Sequence, residues 1–314
     1  MLSSPFDSNP WGGFYLNSPE TTRSNLLAHG IAQMFLSTLS FALANVFVKE
    51  VSHLPVMEIV FFRCLVAGAF CVYGLQKAGA SFTGTHKMPL VMRGVFGTVA
   101  LTLFFLTLQN IPLATAMVIQ YLSPIFTAVI ALFYLKEKVK PLQWAFYAVA
   151  FSGVLLIGRV DARVSFLFVG LGILSAAGSG AAYNLVRRLR DVEHPLTIIL
   201  YFQVVGIIAG AVSIPFAWTT PAGWDWFNLL LIGIFSQLGQ VFLTNAFSRE
   251  KAASVAIVVY TGLIYGIVIG WIIYGEAQTI WSLFGMLLVV AGVVSSVLYV
   301  RKVKRIEEVE ATVA

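Results

Sequence analysis

Residues 113–138 read LATAMVIQYLSPIFTAVIALFYLKEK. A polar pair, Gln120 and Tyr121, and a proline, Pro124, interrupt an apolar run that closes on Lys136-Glu137-Lys138. The pattern returns at residues 252–276 as AASVAIVVYTGLIYGIVIGWIIYGE. A shift of 139 residues lays Tyr121 on Tyr260, Ala114 on Ala253, Val129-Ile130 on Val268-Ile269 and Glu137 on Glu276. With no gap, the same shift lays Ser40 on Ser179, Asn45 on Asn184, Gly94 on Gly233 and Gly153 on Gly292. Apolar runs resemble one another by composition alone. A single offset that holds polar and glycine positions from Ser40 to Gly153 marks two copies of one unit.

The composition says where those copies sit. Of 314 residues, 59% are hydrophobic and only 11% charged, with a mean hydropathy of +0.86. A soluble protein of this size carries about 25% charged residues, so most of this surface must face lipid. The net charge of +6 is not a nucleic-acid signature, because the basic residues gather at span ends. Cys64 and Cys71 lie seven apart on one apolar helix, without metal-ligand spacing, and read as small core residues.

Windows of about 20 apolar residues mark ten spans: 27–48, 57–76, 90–110, 113–135, 141–158, 166–186, 196–217, 227–247, 252–274 and 280–300. The first copy covers 27–158 and the second 166–300. Residues 1–26, rich in Ser, Pro, Asn and Gly, are expected to form a disordered cytoplasmic tail, and 301–314 a charged tail that frays. Sixteen Lys and Arg residues fall on the side of the N-terminus and three (Lys49, Arg159, Arg163) on the other. The positive-inside rule then places both termini in the cytoplasm. Five spans per copy is an odd number, so the second copy enters the membrane from the opposite side. The expected fold is all-α, ten transmembrane helices in two inverted five-helix repeats, the plan of alternating-access carriers.

These residues resemble the EamA family of the drug/metabolite transporter superfamily, over about residues 27–300. The resemblance is carried by ANVFVKEVSHLPVMEIVFFR (44–63), RGVFGTVALTLFFLTLQNIPLATAMVIQYLSPIFTAVIALFYLKEKV (93–139) and LFGMLLVVAGVVSSV (283–297). The first copy has the family's Lys, Pro and Arg at Lys49, Pro55 and Arg63, its Pro and Glu at Pro124 and Glu137, and its Gly at Gly153. The second keeps Glu276 and Gly292 but has Leu263 and Phe202 where Pro and Arg would stand, so only the first copy is expected to supply those two functions. The resemblance implies a basket whose cavity is lined by spans 1–4 and 6–9, with spans 5 and 10 peripheral. It also implies substrates such as amino acids, nucleosides and related metabolites.

Polar groups inside a membrane are costly and usually face the bundle interior. Arg63, two turns inside span 2, is either an anion contact or outer latch, or an arginine that snorkels or ties spans together. Glu58, five residues earlier and so about 140° around the helix, is a candidate for coupling or an interfacial helix-end residue. Asn45 and Asn184 each either gate one side or tie helices together. Gln120, Tyr121 and Tyr260 fall near the midplane, where carriers of this plan bind substrate. Pro124 cannot donate to the carbonyl of Gln120, so an acceptor opens beside Tyr121. On span 8, Ser236, Gln237, Gln240 and Thr244 form a polar stripe that lines a cavity or packs helices. Gly262, Gly266 and Gly270 suit close helix packing. Glu137 and Glu276 read as helix-end anchors.

An intramembrane enzyme would need a nucleophile–base pair or a metal cluster. The four histidines, His29, His53, His86 and His194, sit at span ends or in loops, and there is no H-E-x-x-H or G-x-S-x-G motif. No cofactor or metal is expected. The expected partners are the bilayer and a small-molecule metabolite, not nucleic acid, and a homo-oligomer is compatible with the reading. A channel shares the inverted plan and is distinguished by flux that does not saturate.

Overall fold

The computed structural model of the chain describes residues 23–134, 139–249 and 258–313. Glu137, Ala253 and the segment before Arg23 lie outside the described residues, as does the side chain of Thr244. Among the described residues the regular elements are all helices: α1 (Arg23–Glu50), α2 (Val56–Ala78), α3 (Lys87–Asn110), α4 (Leu113–Gln120), α5 (Ser123–Tyr134) and α6 (Pro141–Val160). They continue with α7 (Phe166–Leu189), α8 (Pro195–Ser213), α9 (Asp225–Arg249), α10 (Thr261–Tyr274) and α11 (Ile280–Val313). Nine stretches are long and apolar enough to cross a membrane, one of them joining α4 and α5, and α10 is a shorter apolar helix belonging to the remaining span.

Local sequence sets the helix ends. Pro141 and Pro195 open α6 and α8, where a missing N–H removes nothing from the ladder. The Ser165 hydroxyl caps α7 by accepting from the Leu167 amide. α2 and α10 end at Gly79 and Gly275, whose φ values of 60° and 62° suit glycine. At the second of these the Glu276 amide bonds back to the Gly270 carbonyl at 2.9 Å, fixing where the Glu276 side chain emerges.

The inversion is visible in one bond. The Leu113 amide, which opens span 4, donates to Glu276, which follows the end of span 9, at 2.8 Å. The start of a span in one copy and the end of its counterpart therefore share a face. Helix contacts obey the same exchange: α3 packs on α7 as α9 packs on α1, α3 on α8 as α9 on α2, and α5 on α7 as α10 on α1. The pairs α2–α8 and α6–α11 map onto themselves. In α6–α11, Gly153 lies against the Gly285 carbonyl and the Val289 amide, and Gly292 against the Phe146 carbonyl and the Ala150 amide. Each contact becomes the other under the 139-residue shift.

α4 is the hub. Every residue from Leu113 to Ile119 is buried, as expected of a helix apolar on all sides. Its Ala114 and Met117 meet Gly266 of α10. Outward-facing side chains are apolar, among them Phe133, Ile208, Ile272 and Leu287. Trp218, Trp224, Trp226 and Trp281 are exposed where α8, α9 and α11 meet the face on which α1 ends, the position of an interfacial aromatic belt. That face is called the far face below, and the one on which α1 begins the near face. α11 continues as helix through Arg301 to Val313, into the segment expected to be a charged tail.

Candidate functional site

The described fourth span is broken at the predicted place. Around Tyr121 the ladder tightens to three-residue steps, Tyr121 N–H to Val118 at 3.1 Å and Leu122 N–H to Ile119 at 3.0 Å, and α5 restarts at Ser123 with Pro124 in its first turn. The second copy has the same turn without a proline: Gly262 N–H bonds to Val259 at 3.2 Å and Leu263 N–H to Tyr260 at 3.1 Å. Tyr121 (φ −67°, ψ −5°) and Tyr260 (φ −73°, ψ −9°) share one backbone conformation. The turn therefore does not depend on the proline that only the first copy carries: packing holds it whether or not Pro stands in it. The two tyrosines meet edge to face, centroids 5.1 Å apart. The Tyr121 hydroxyl donates to the Val259 carbonyl at 3.3 Å, and Gly262 leaves room for it.

Gln120 is less free than its position suggested. Its amide nitrogen donates to Ser179 at 2.8 Å and its oxygen accepts from Ser175 at 3.1 Å, tying α4 to α7. Asn184 likewise donates to the carbonyls of Thr127 (2.9 Å) and Gly180 (3.0 Å), joining α7 to α5. Asn45 is buried at the equivalent place on α1.

Arg63 is 5% exposed and donates from Nε to Ser236 at 3.1 Å. Ser236 and Gln237 are buried while Leu238 between stripe positions is exposed, so that part of the α9 stripe faces inward. Gln237 points to Cys71, 3.9 Å away, and Gln240 is half-buried. Arg63 lies over the ring of Phe202, 5.4 Å from its centroid. Phe202 is the residue the repeat lays on Arg63, so the two equivalent positions touch.

A second arginine arrives at the same ring. Arg93 of α3 stacks on Phe202 at 4.6 Å, and its Nε and Nη1 are buried with no hydrogen-bond partner. Sequence reading assigned Arg93 to the near-face surface charges. A signal was available: it stands more than a turn inside a helix whose other charge, Lys87, is at its first position, with Gly97 four residues on, and Gly97 is where its guanidinium rests. The two guanidinium carbons lie no more than about 10 Å apart, the sum of their distances to the ring centre. At an effective dielectric of about 20, such charges repel by on the order of 2 kcal/mol.

The far face is sewn shut. Glu276 pairs with Lys49 and accepts from Leu113, and Lys49 also donates to the Ile111 carbonyl at 3.1 Å. Arg163, held by both oxygens of Asp161 at 2.9 and 2.8 Å, donates to the Ala277 carbonyl at 2.9 Å. Hydrogen bonds from Arg163 hold the Asp161 carboxyl below its ordinary value despite burial. Glu58, 1% exposed, accepts the Thr219 amide at 3.1 Å and so anchors the α8–α9 loop, well apart from the partners of Arg63. Toward the near face lies a cavity of about 550 Å³ that reaches the break at Pro124 and Ile125 and is edged by Lys140, Gln143, Tyr147, Arg187 and Arg301. Its walls are α5, α6, α7 and α11, so spans 5 and 10, expected to be peripheral, contribute to it.

The model of the EamA-like transporter family matches the chain twice, over residues 28–159 and 167–298. The chain belongs to the EamA-like transporter family. It is 31% identical over 277 residues to a protein of Pseudomonas aeruginosa named pseudopaline exporter CntI, covering 86% of this chain and 96% of that one. It is 32% identical over 285 residues to human solute carrier family 35 member G1, covering 83% and 77%. An S-adenosylmethionine uptake transporter of Rickettsia conorii is 26% identical over 270 residues, covering 83% and 90%. A crystal structure 18% identical in sequence superposes with a TM-score of 0.59 over 90% of this chain and 99% of its own, which speaks for the fold. This EamA-like chain is thus a multi-pass membrane transporter and not an enzyme.

Proposed function

We propose that this EamA-like protein moves a small polar or amphipathic metabolite, such as an amino acid, a nucleoside or a related compound, across the cell membrane by alternating access. The near face is cytoplasmic on this reading, in keeping with its fifteen Lys and Arg residues once Arg93 is withdrawn from the sixteen. The observation that carries the proposal is the asymmetry between faces. Lys49, Glu276, Arg163 and Leu113 close the far side with bonds between copies, while the cavity at Pro124 opens toward the near side. Two inverted copies can exchange these roles, and on this reading the described shape is the one with its far side closed. Substrate meets the protein between Tyr121, Tyr260 and the α9 stripe at Gln237 and Gln240. Gln120, Asn45 and Asn184 hold the walls, and Glu58 sets the outer loop.

The relatives' names include both an exporter and an uptake transporter, so direction is settled by measurement. In proteoliposomes, internal unlabelled metabolite should drive saturable accumulation of labelled metabolite. Linear, non-saturating flux would instead assign a channel.

A further inference from the structure

We infer that Arg63 and Arg93, converging on Phe202, bind an oxyanion of the transported solute, a carboxylate or phosphate; this rests on the carrier reading. The two side chains come from α2 and α3 and the ring from α8. Among the described residues, neither arginine is paired with a carboxylate: Arg63 has a neutral hydroxyl and the Cys64 thiol as neighbours. Two buried N–H-bearing atoms of Arg93 have no acceptor at all.

Each feature is costly without a ligand. A cation in the membrane interior is unfavourable, an unpaired buried donor adds to that, and two guanidiniums facing one ring repel. The Phe202 face offsets part of this but accepts no hydrogen bond of carboxylate strength. An oxyanion presents several acceptor oxygens to planar guanidinium forks and neutralises both charges. A further unpartnered hydroxyl is at hand: Thr98, 3% exposed, lies beside Gly206, which also contacts Cys64. The location agrees. Arg63 and Phe202 are equivalent positions in contact, so the pseudo-two-fold axis relating the copies runs between them, where carriers of this plan place their substrate.

The test uses the full chain in phosphatidylcholine nanodiscs, following its unfolding temperature at constant ionic strength. Succinate and inorganic phosphate should each raise it saturably, whereas neutral succinamide and sodium chloride should not. Arg93→Gln should abolish the succinate effect. Arg93→Lys keeps the charge but loses the fork and should bind at least five-fold more weakly; it serves if the glutamine variant does not fold. An equal shift with succinamide, or an undiminished succinate affinity in Arg93→Lys and Arg93→Gln, would overturn the site. Loss of the succinate effect when phosphatidylglycerol is added would assign the pair to a lipid headgroup and overturn it as well. Counterflow by the same protein in proteoliposomes separates the two readings. Anion binding without counterflow removes the carrier but keeps the site. Counterflow of a solute without an acidic group, unaffected by succinate and phosphate, keeps the carrier and removes the site.

Discussion

Glu193, in the short loop between α7 and α8, collects donors from the α2–α3 loop: the amides of Thr85 (2.7 Å) and His86 (2.6 Å), the Thr85 hydroxyl (2.7 Å) and His86 Nδ1 (3.2 Å). Burial pushes its carboxyl up, but the hydrogen bonds win and hold it at about 2, against an ordinary value of 4.5. A depressed carboxyl stabilises the fold above its unfolded value and ceases to do so as pH falls toward the folded one. Glu193→Gln should therefore lower the unfolding temperature at pH 7, and the gap from wild type should close between pH 4.5 and about 2. A gap independent of pH would mean that the charge contributes nothing. At the tyrosine pair, Tyr121→Ala removes the edge-to-face contact with Tyr260 and the bond to Val259. Transport should fall at least ten-fold at wild-type expression, with Tyr121→Phe intermediate; full activity in the alanine variant removes Tyr121 from the substrate path.

Helices argue differently from single side chains, because backbone conformation can be set from outside. Tyr121 and Tyr260 sit in the same turn although only one has a proline three residues on. Pro124→Ala should accordingly leave transport within about two-fold of wild type. A ten-fold loss would show that the ring itself imposes the break. At the α6–α11 pair, a Cβ on Gly292 would stand 2.6 Å from the Phe146 carbonyl and 2.8 Å from the Ala150 amide, backbone atoms that cannot rotate aside. Gly292→Ala should cost about 1–3 kcal/mol, the range for overpacking, read from unfolding in detergent. Gly170, with no neighbour in that space, is the control and should tolerate alanine.

For the molecule as a whole, the far-face network weights one of two shapes. Glu276→Gln keeps the size of the side chain and removes the charge that holds Lys49. Losing a charge-assisted bond of this kind costs about 1.5–3 kcal/mol, enough to shift a two-state population by ten-fold or more. A cysteine placed at Asn110, beside the small far-face cleft lined by Lys49, Arg163 and Glu276, should then react faster with a membrane-impermeant thiol reagent from that side. An unchanged rate would separate the network from gating.

The chain by itself determined the ten spans, the repeat, its inversion and the break after Gln120. Each of these depends on period, length and parity, which are properties of order along the chain. It also marked Arg63, Tyr121, Tyr260 and the α9 stripe, because a polar residue in an apolar span is visible without coordinates. What it left open depended on direction in space. Gln120 reads as a free midplane amide until Ser175 and Ser179 are seen to take both of its ends. Arg93 reads as an interfacial charge until its long side chain is seen to reach Phe202. Only the tertiary structure decided these, because a side chain's partner belongs to another helix, and the choice between neighbours is made by packing rather than by position in the sequence.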